Sequence, residues 1–143
     1  MEQIRNEMKM EFLALSSNEG FARVTVGAFA AELNPTVDEL ADIKTAVSEA
    51  VTNCIIHGYE RKEGSIWIRC RIEGRRIEIS VTDIGKGIED IDKAREPLFT
   101  TKPELERSGM GFAFMEAFMD AVEIVSEPGK GTCVTMHKTI GKG

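Results

Sequence analysis

Apolar positions along this chain change period several times, and each change marks an element. Met8-Lys9-Met10-Glu11-Phe12-Leu13-Ala14-Leu15 alternates loosely and predicts a first strand, punctuated by Ser16-Ser17-Asn18. Phe21, Val24, Ala28 and Ala31 then keep helical spacing, with Phe29 and Leu33 widening the apolar stripe. Asn34-Pro35 stops that helix, because the residue before proline avoids helical angles. Thr36 and Glu39 have the spacing of a capping box, in which the hydroxyl accepts from the Glu39 backbone and the carboxylate reaches back to the cap. The helix so begun runs to about His57, with Leu40, Ile43, Val47, Ala50, Val51, Cys54 and Ile55 as its buried stripe and Gly58 as a left-handed stop.

Farther on, the period becomes two. Ile66, Ile68, Cys70 and Ile72 alternate with Trp67, Arg69 and Arg71; Glu73-Gly74-Arg75 turns; Ile77, Ile79 and Val81 alternate with Glu78, Ser80 and Thr82. This predicts a hairpin. Asp83 to Gly109 is rich in Gly, Pro and Thr, with one short helix near Ile91 to Ala94, and its length marks a lid or binding loop. Gly111 to Met119 reads as a helix, followed by strands at Val122 to Ser126 and Thr132 to Lys138 joined by Glu127-Pro128-Gly129-Lys130-Gly131. The order β-α-α-β-β-loop-α-β-β predicts an α+β two-layer sandwich with a mostly antiparallel sheet. No repeat or linker interrupts it, so residues 1–143 read as one module.

Composition narrows the function classes. With 42% hydrophobic and 29% charged residues the chain is an ordinary soluble one, long enough to bury a core without disulfides or structural metal. Its net charge of −6 disfavours nucleic acid, whose phosphates draw on clustered Lys and Arg, and favours a partner protein or a small ligand. Cys54, Cys70 and Cys133 form no C-x-x-C pair and suit reduced core thiols in a cytoplasm. No stretch is apolar enough to cross a membrane, and the polar start Met1-Glu2-Gln3-Ile4-Arg5-Asn6-Glu7 lacks a signal-peptide core.

Four pieces carry chemistry. Glu49 and Asn53 sit four apart on the long helix and share a face, which His57 joins one turn later. Glu49 lies in an apolar stretch, where a buried carboxylate needs a cation, a water or a reacting hydroxyl. Asp83-Ile84-Gly85-Lys86-Gly87 follows a strand: the glycines let the backbone approach a flat ligand while the carboxylate accepts a hydrogen bond. Arg107-Ser108-Gly109-Met110-Gly111-Phe112 leads into a helix whose amides and positive end can hold phosphate oxygens. Gly129-Lys130-Gly131-Thr132 is a glycine turn ending in a hydroxyl. Singly, each has a plainer reading as a turn, a solvated helix face or, for His57, a helix cap.

The ordered set is more specific. It resembles the Bergerat (GHKL) nucleotide-binding fold of DNA gyrase, the Hsp90 chaperone, histidine kinases and MutL, which implies helices on one face of the sheet and an ATP lid. Walker A and the H-R-D and D-F-G motifs of other ATP folds are absent. Within the group, Ser48-Glu49-Ala50-Val51-Thr52-Asn53, the run Pro97-Leu98-Phe99-Thr100-Thr101-Lys102-Pro103-Glu104-Leu105-Glu106-Arg107-Ser108-Gly109-Met110-Gly111-Phe112 and the short length resemble the sporulation anti-sigma-F factors, which are serine-protein kinases.

That resemblance implies a cytoplasmic homodimer, without direct nucleic-acid or membrane contact, that binds ATP or ADP with Mg²⁺, holds the sporulation sigma factor F inactive, and phosphorylates a serine of a small STAS-type anti-anti-sigma factor. It implies Mg²⁺ on Asn53, whose carboxamide oxygen suits a hard cation, and Glu49 as the base for the serine hydroxyl. It also implies adenine recognition by Asp83 and Thr132 with room from Gly85 and Gly87, and phosphate contacts from the Gly109 and Gly111 amides. Arg107, ranked above Lys102 for its planar donor pair, neutralises the γ-phosphate. Thr100, Thr101 and Ser108 can bind the same phosphates or merely shape turns, and His57 can touch phosphate or cap its helix. Arg23, four residues after Glu19, belongs to a solvated pair or to a partner-binding face. Histidine kinases phosphorylate their own dimerisation helices; this chain has just His57 and His137, so the acceptor must be another molecule. An alternative keeps the site as a nucleotide-gated sigma-binding switch without phosphoryl transfer.

Overall fold

A computed structural model describes residues 5–91 and 111–141. Five strands, β1 (Arg5–Leu13), β2 (Ser65–Glu73), β3 (Arg76–Asp83), β4 (Ala121–Glu127) and β5 (Gly131–Thr139), form an antiparallel sheet in the order β1-β2-β3-β5-β4. Helices α1 (Ser17–Ala30), α2 (Val37–Asn53) and α3 (Gly111–Phe118) make the second layer. The architecture is the α+β sandwich that the residue pattern predicts, with every described strand pair antiparallel.

The hairpin β2-β3 forms because Ile66, Ile68, Cys70 and Ile72 face the same side as Ile77, Ile79 and Val81, all buried, while the two-residue turn places Gly74 at φ 63°. On that buried side α2 lays Ile43, Ala46, Val47, Ala50 and Val51. Its start is the capping box: Thr36 Oγ1 accepts from the Glu39 backbone at 3.0 Å and Glu39 Oε1 accepts from the Thr36 backbone at 2.9 Å. The other Glu39 oxygen accepts the Gly141 N–H at 3.0 Å, tying the last described turn to α2.

Three expectations are corrected. The buried face of α1 is Ala22, Val26 and Ala30, continued by Leu33, whereas Phe21 and Val24 are 57% and 60% exposed and Ala28 and Ala31 are exposed too. Small residues at spacing four bring α1 close to α2, so that a side chain at Gly27 would overlap the Lys44 stem. Gly58 is not left-handed. The helix ends instead through a π-turn over Cys54–Gly58, and positive φ falls on Glu60 and Arg61. Cys133 faces away from the core and accepts a hydrogen bond from Thr82 Oγ1, whereas Cys54 and Cys70 are buried; all three are free thiols. The predicted helix near Ile91 to Ala94 lies, beyond Ile91, outside the described residues, and no described helix is long and apolar enough to cross a membrane.

Candidate functional site

The end of α2, the end of β3 and the start of β5 converge on Asp83. This carboxylate is 4% exposed, on the buried side of the sheet, where strand register pairs it with Thr132. Burial pushes its pKa above the ordinary carboxylate value, opposed by the Gly85 N–H, the Cys54 thiol and the Thr132 backbone, all hydrogen-bonded to it. The Gly85 N–H donates to Oδ1 at 2.9 Å. Thus a nearly enclosed carboxyl group presents an acceptor at the edge of the core, which suits an amino group donated by a flat ligand.

Glycines make this convergence possible. A Cβ on Gly58 would lie 2.9 Å from Asp83 Oδ2, so its role is close approach and not chain reversal. A Cβ on Gly85 would overlap the Gly58 carbonyl. Gly131 has φ +106° and faces the Asp83 carbonyl, which no L side chain tolerates. Gly87, at φ +77°, packs on the Glu127 carbonyl. Thr132 is buried, and its hydroxyl meets Ser126 Oγ at 2.8 Å. Ser126 in turn accepts from the Ile88 N–H at 2.9 Å and donates to the Gly131 carbonyl at 3.0 Å.

Asp83, Gly85, Gly87 and Thr132 are therefore brought together. Glu49 and Asn53 lie on the last turns of α2, both half-buried, with Glu49 Oε2 enclosed by protein. Asn53 precedes Cys54, which touches Asp83, so one helix end carries both the carboxamide and the neighbour of the buried acid. His57 sits within the π-turn. Gly111 opens α3 as predicted. Thr100, Thr101, Lys102, Arg107, Ser108 and Gly109 lie outside the described residues. Arg23 pairs with Glu19 at 3.1 Å, and Glu19 also accepts from Ser48 Oγ at 2.6 Å, which joins α1 to α2 one residue before Glu49. Among the described residues no cluster of three or more His, Cys, Asp or Glu is arranged to hold a metal.

Three contributors escaped the sequence reading. Ser126 had a signal: it shares strand parity with the inward Val122 and Ile124 and is the polar member of that row. Cys54, read as a core thiol, is buried but also donates to Asp83. Tyr59 is 9% exposed; its hydroxyl donates to the Ser65 carbonyl at 2.6 Å and accepts from the Ile84 N–H at 2.9 Å. Nothing local in the sequence marks those partners.

Known proteins resemble this chain in sequence and in fold. Residues 14–138 match the family described as Histidine kinase-like ATPase domain. The Anti-sigma F factor of Thermoanaerobacter pseudethanolicus is 63% identical over 136 residues, covering 95% of both chains. That of Caldanaerobacter subterraneus is 60% identical over 140 residues, covering 98% of both. The crystal structure of the RsbU and RsbW domains of a Mycobacterium tuberculosis protein superposes with TM-score 0.68 at 22% identity, covering 94% of this chain and 32% of that one, and supports the fold alone.

Proposed function

The chain belongs to the anti-sigma F factors within the histidine kinase-like ATPase family, and from that premise we propose that it is a nucleotide-dependent inhibitor of the sporulation sigma factor F that also phosphorylates a serine of a small anti-anti-sigma factor. The observation that carries the reading is the buried Asp83 carboxylate, held among glycines at the end of the helix that bears Glu49 and Asn53.

The residues fit an adenine nucleotide. Asp83 accepts the purine amino group, and the Thr132 and Ser126 hydroxyls complete that edge. The Gly85 and Gly87 backbone leaves space for a flat ring. Asn53 offers one neutral oxygen, which suits a Mg²⁺ whose other ligands come from phosphates and water. Bound MgATP supplies an activated γ-phosphoryl group with its charge screened. Glu49 takes the proton from the acceptor serine as the Ser Oγ–phosphorus bond forms and the bond to the ADP leaving oxygen breaks. Arg107, with Lys102, neutralises the transferring group, and Thr100, Thr101, Ser108 and the amides of Gly109 and Gly111 hold phosphate oxygens.

The partner face includes Arg23. Its guanidinium is partly exposed beside Glu19, at the side of α1 that meets α2. The strand β1 is a sheet edge open to pairing across a two-fold, consistent with a homodimer. The decisive experiment mixes the pure protein, labelled ATP and Mg²⁺ with a small anti-anti-sigma protein. Label on a serine of that protein is expected; its absence with sigma capture retained leaves the nucleotide-gated switch.

A further inference from the structure

The loop after β3 is held by unusual means. Ile84 is 65% exposed, so its side chain anchors nothing. Its N–H belongs to the same rigid peptide plane as the Asp83 carbonyl. Fixing that plane fixes the backbone rotation from which the Asp83 side chain departs. The group that holds it is the Tyr59 hydroxyl, which accepts from the Ile84 N–H at 2.9 Å while donating to the Ser65 carbonyl at 2.6 Å. The phenol is itself confined: Tyr59 is 9% exposed, its N–H donates to the Cys54 carbonyl at 2.9 Å, and a Cβ on Gly64 would overlap its ring. A second tie runs alongside, from the Lys86 N–H to the Gly58 carbonyl at 2.9 Å. The loop is thereby fastened to the π-turn that ends α2 and to the two residues after it, where the Tyr59 hydroxyl holds the Ile84 N–H and Lys86 Nζ pairs with Glu60 Oε2 at 3.6 Å on the solvent side.

We infer that Tyr59 is a positioning residue for purine recognition: its hydroxyl aims the Asp83 carboxylate and so sets the preference for a 6-amino over a 6-oxo purine. The inference rests on the reading of Asp83 as the purine contact. Removing the hydroxyl leaves the Ile84 N–H without its acceptor and lets the peptide plane rotate, which weakens a contact that depends on the direction of Asp83 and spares those made by sugar and phosphates.

The test titrates the full-length protein and Tyr59→Phe with MgATP and with Mg inosine triphosphate, alongside thermal melts. The unsubstituted protein is expected to prefer ATP. In Tyr59→Phe the ATP affinity falls about tenfold while inosine triphosphate changes less than about twofold, so the preference collapses by about tenfold. An unchanged preference, or an equal loss for both nucleotides, overturns the inference. Equal binding of the two nucleotides by the unsubstituted protein instead overturns the reading of Asp83. Should Tyr59→Phe not fold, the single tyrosine of the chain permits uniform labelling with 3,5-difluorotyrosine, which, at a pH that keeps the phenol protonated, weakens the hydroxyl as an acceptor at that position alone. A severalfold drop in ATP preference is then expected, and no drop contradicts the inference.

Discussion

The two faces of the sheet treat charge in opposite ways. On the open face ion pairs link β1, β2 and β3: Glu7 meets Arg69 at 2.8 Å and Arg71 at 3.5 Å, and Arg71 meets Glu78 at 3.9 Å, while the buried His137 of β5 lies between Glu78 and Glu123 of β4. On the covered face Asp83 is the one carboxylate that the described strands contribute, and it sits at the margin of the core. A hydrogen bond from Arg69 holds the Glu7 carboxyl below its ordinary value, whereas burial pushes Asp83 above its own. Many exposed pairs do little, because water already solvates both members. One enclosed acid matters more: it destabilises the empty fold slightly and keeps an acceptor ready for a ligand.

Substitutions on the covered face should produce effects that those on the open face do not. The largest is kinetic: on the proposed mechanism Glu49→Ala lowers serine phosphorylation by about 10²–10⁴-fold while nucleotide affinity stays near that of the unsubstituted protein, as single-turnover assays and calorimetry would report. Next is Gly131→Ala. At φ +106° against the Asp83 carbonyl, the added methyl should cost about 2 kcal/mol or more in urea unfolding and displace the carboxylate.

Acid titration sharpens the contrast with opposite signs. The Asp83 pKa is raised above the ordinary 3.8, so protonation relieves the empty fold: its contribution is complete below the unfolded value and lost as pH rises through the folded one. Nucleotide affinity runs the other way across that window, since the acceptor must be ionised. The Glu7 pKa is lowered from the ordinary 4.5, so its contribution is present above that value and lost as pH falls through the folded one. Nucleotide titrations and melts between about pH 3 and 7 would separate the two. The smallest effect is Arg69→Ala, which should leave the unfolding midpoint within error. A shift as large as that of Gly131→Ala would break the distinction between the faces.

What the residues revealed in advance were features whose partners are near in sequence or whose order is diagnostic. The capping box needs positions 36 and 39, and the hairpin needs alternation on both sides of Gly74, so both were legible. Glu49, Asn53, Asp83, Gly85, Gly87 and Thr132 were singled out because their order along the chain is distinctive, and the fold brings Asp83, Gly85, Gly87 and Thr132 to one place. The stripe of α1 was misread because two sets of apolar residues overlap there; the larger residues, Phe21 and Val24, were favoured over the small ones that permit close helix packing. Gly58 invited a local explanation, a helix stop, when its reason is a carboxylate 25 residues away. Tyr59 was missed for the same reason: Ile84 reaches it only after the sheet has formed. Long-range contact, not residue type, separates what was legible from what was not.

The most direct measurement is calorimetric titration of MgATP into the protein and into Asp83→Asn, with melts of both. The account predicts that the substitution weakens binding by about 100-fold, the scale of a lost hydrogen bond to a charged acceptor, while the empty fold melts no lower than before. Equal ATP affinity in the two proteins would contradict it.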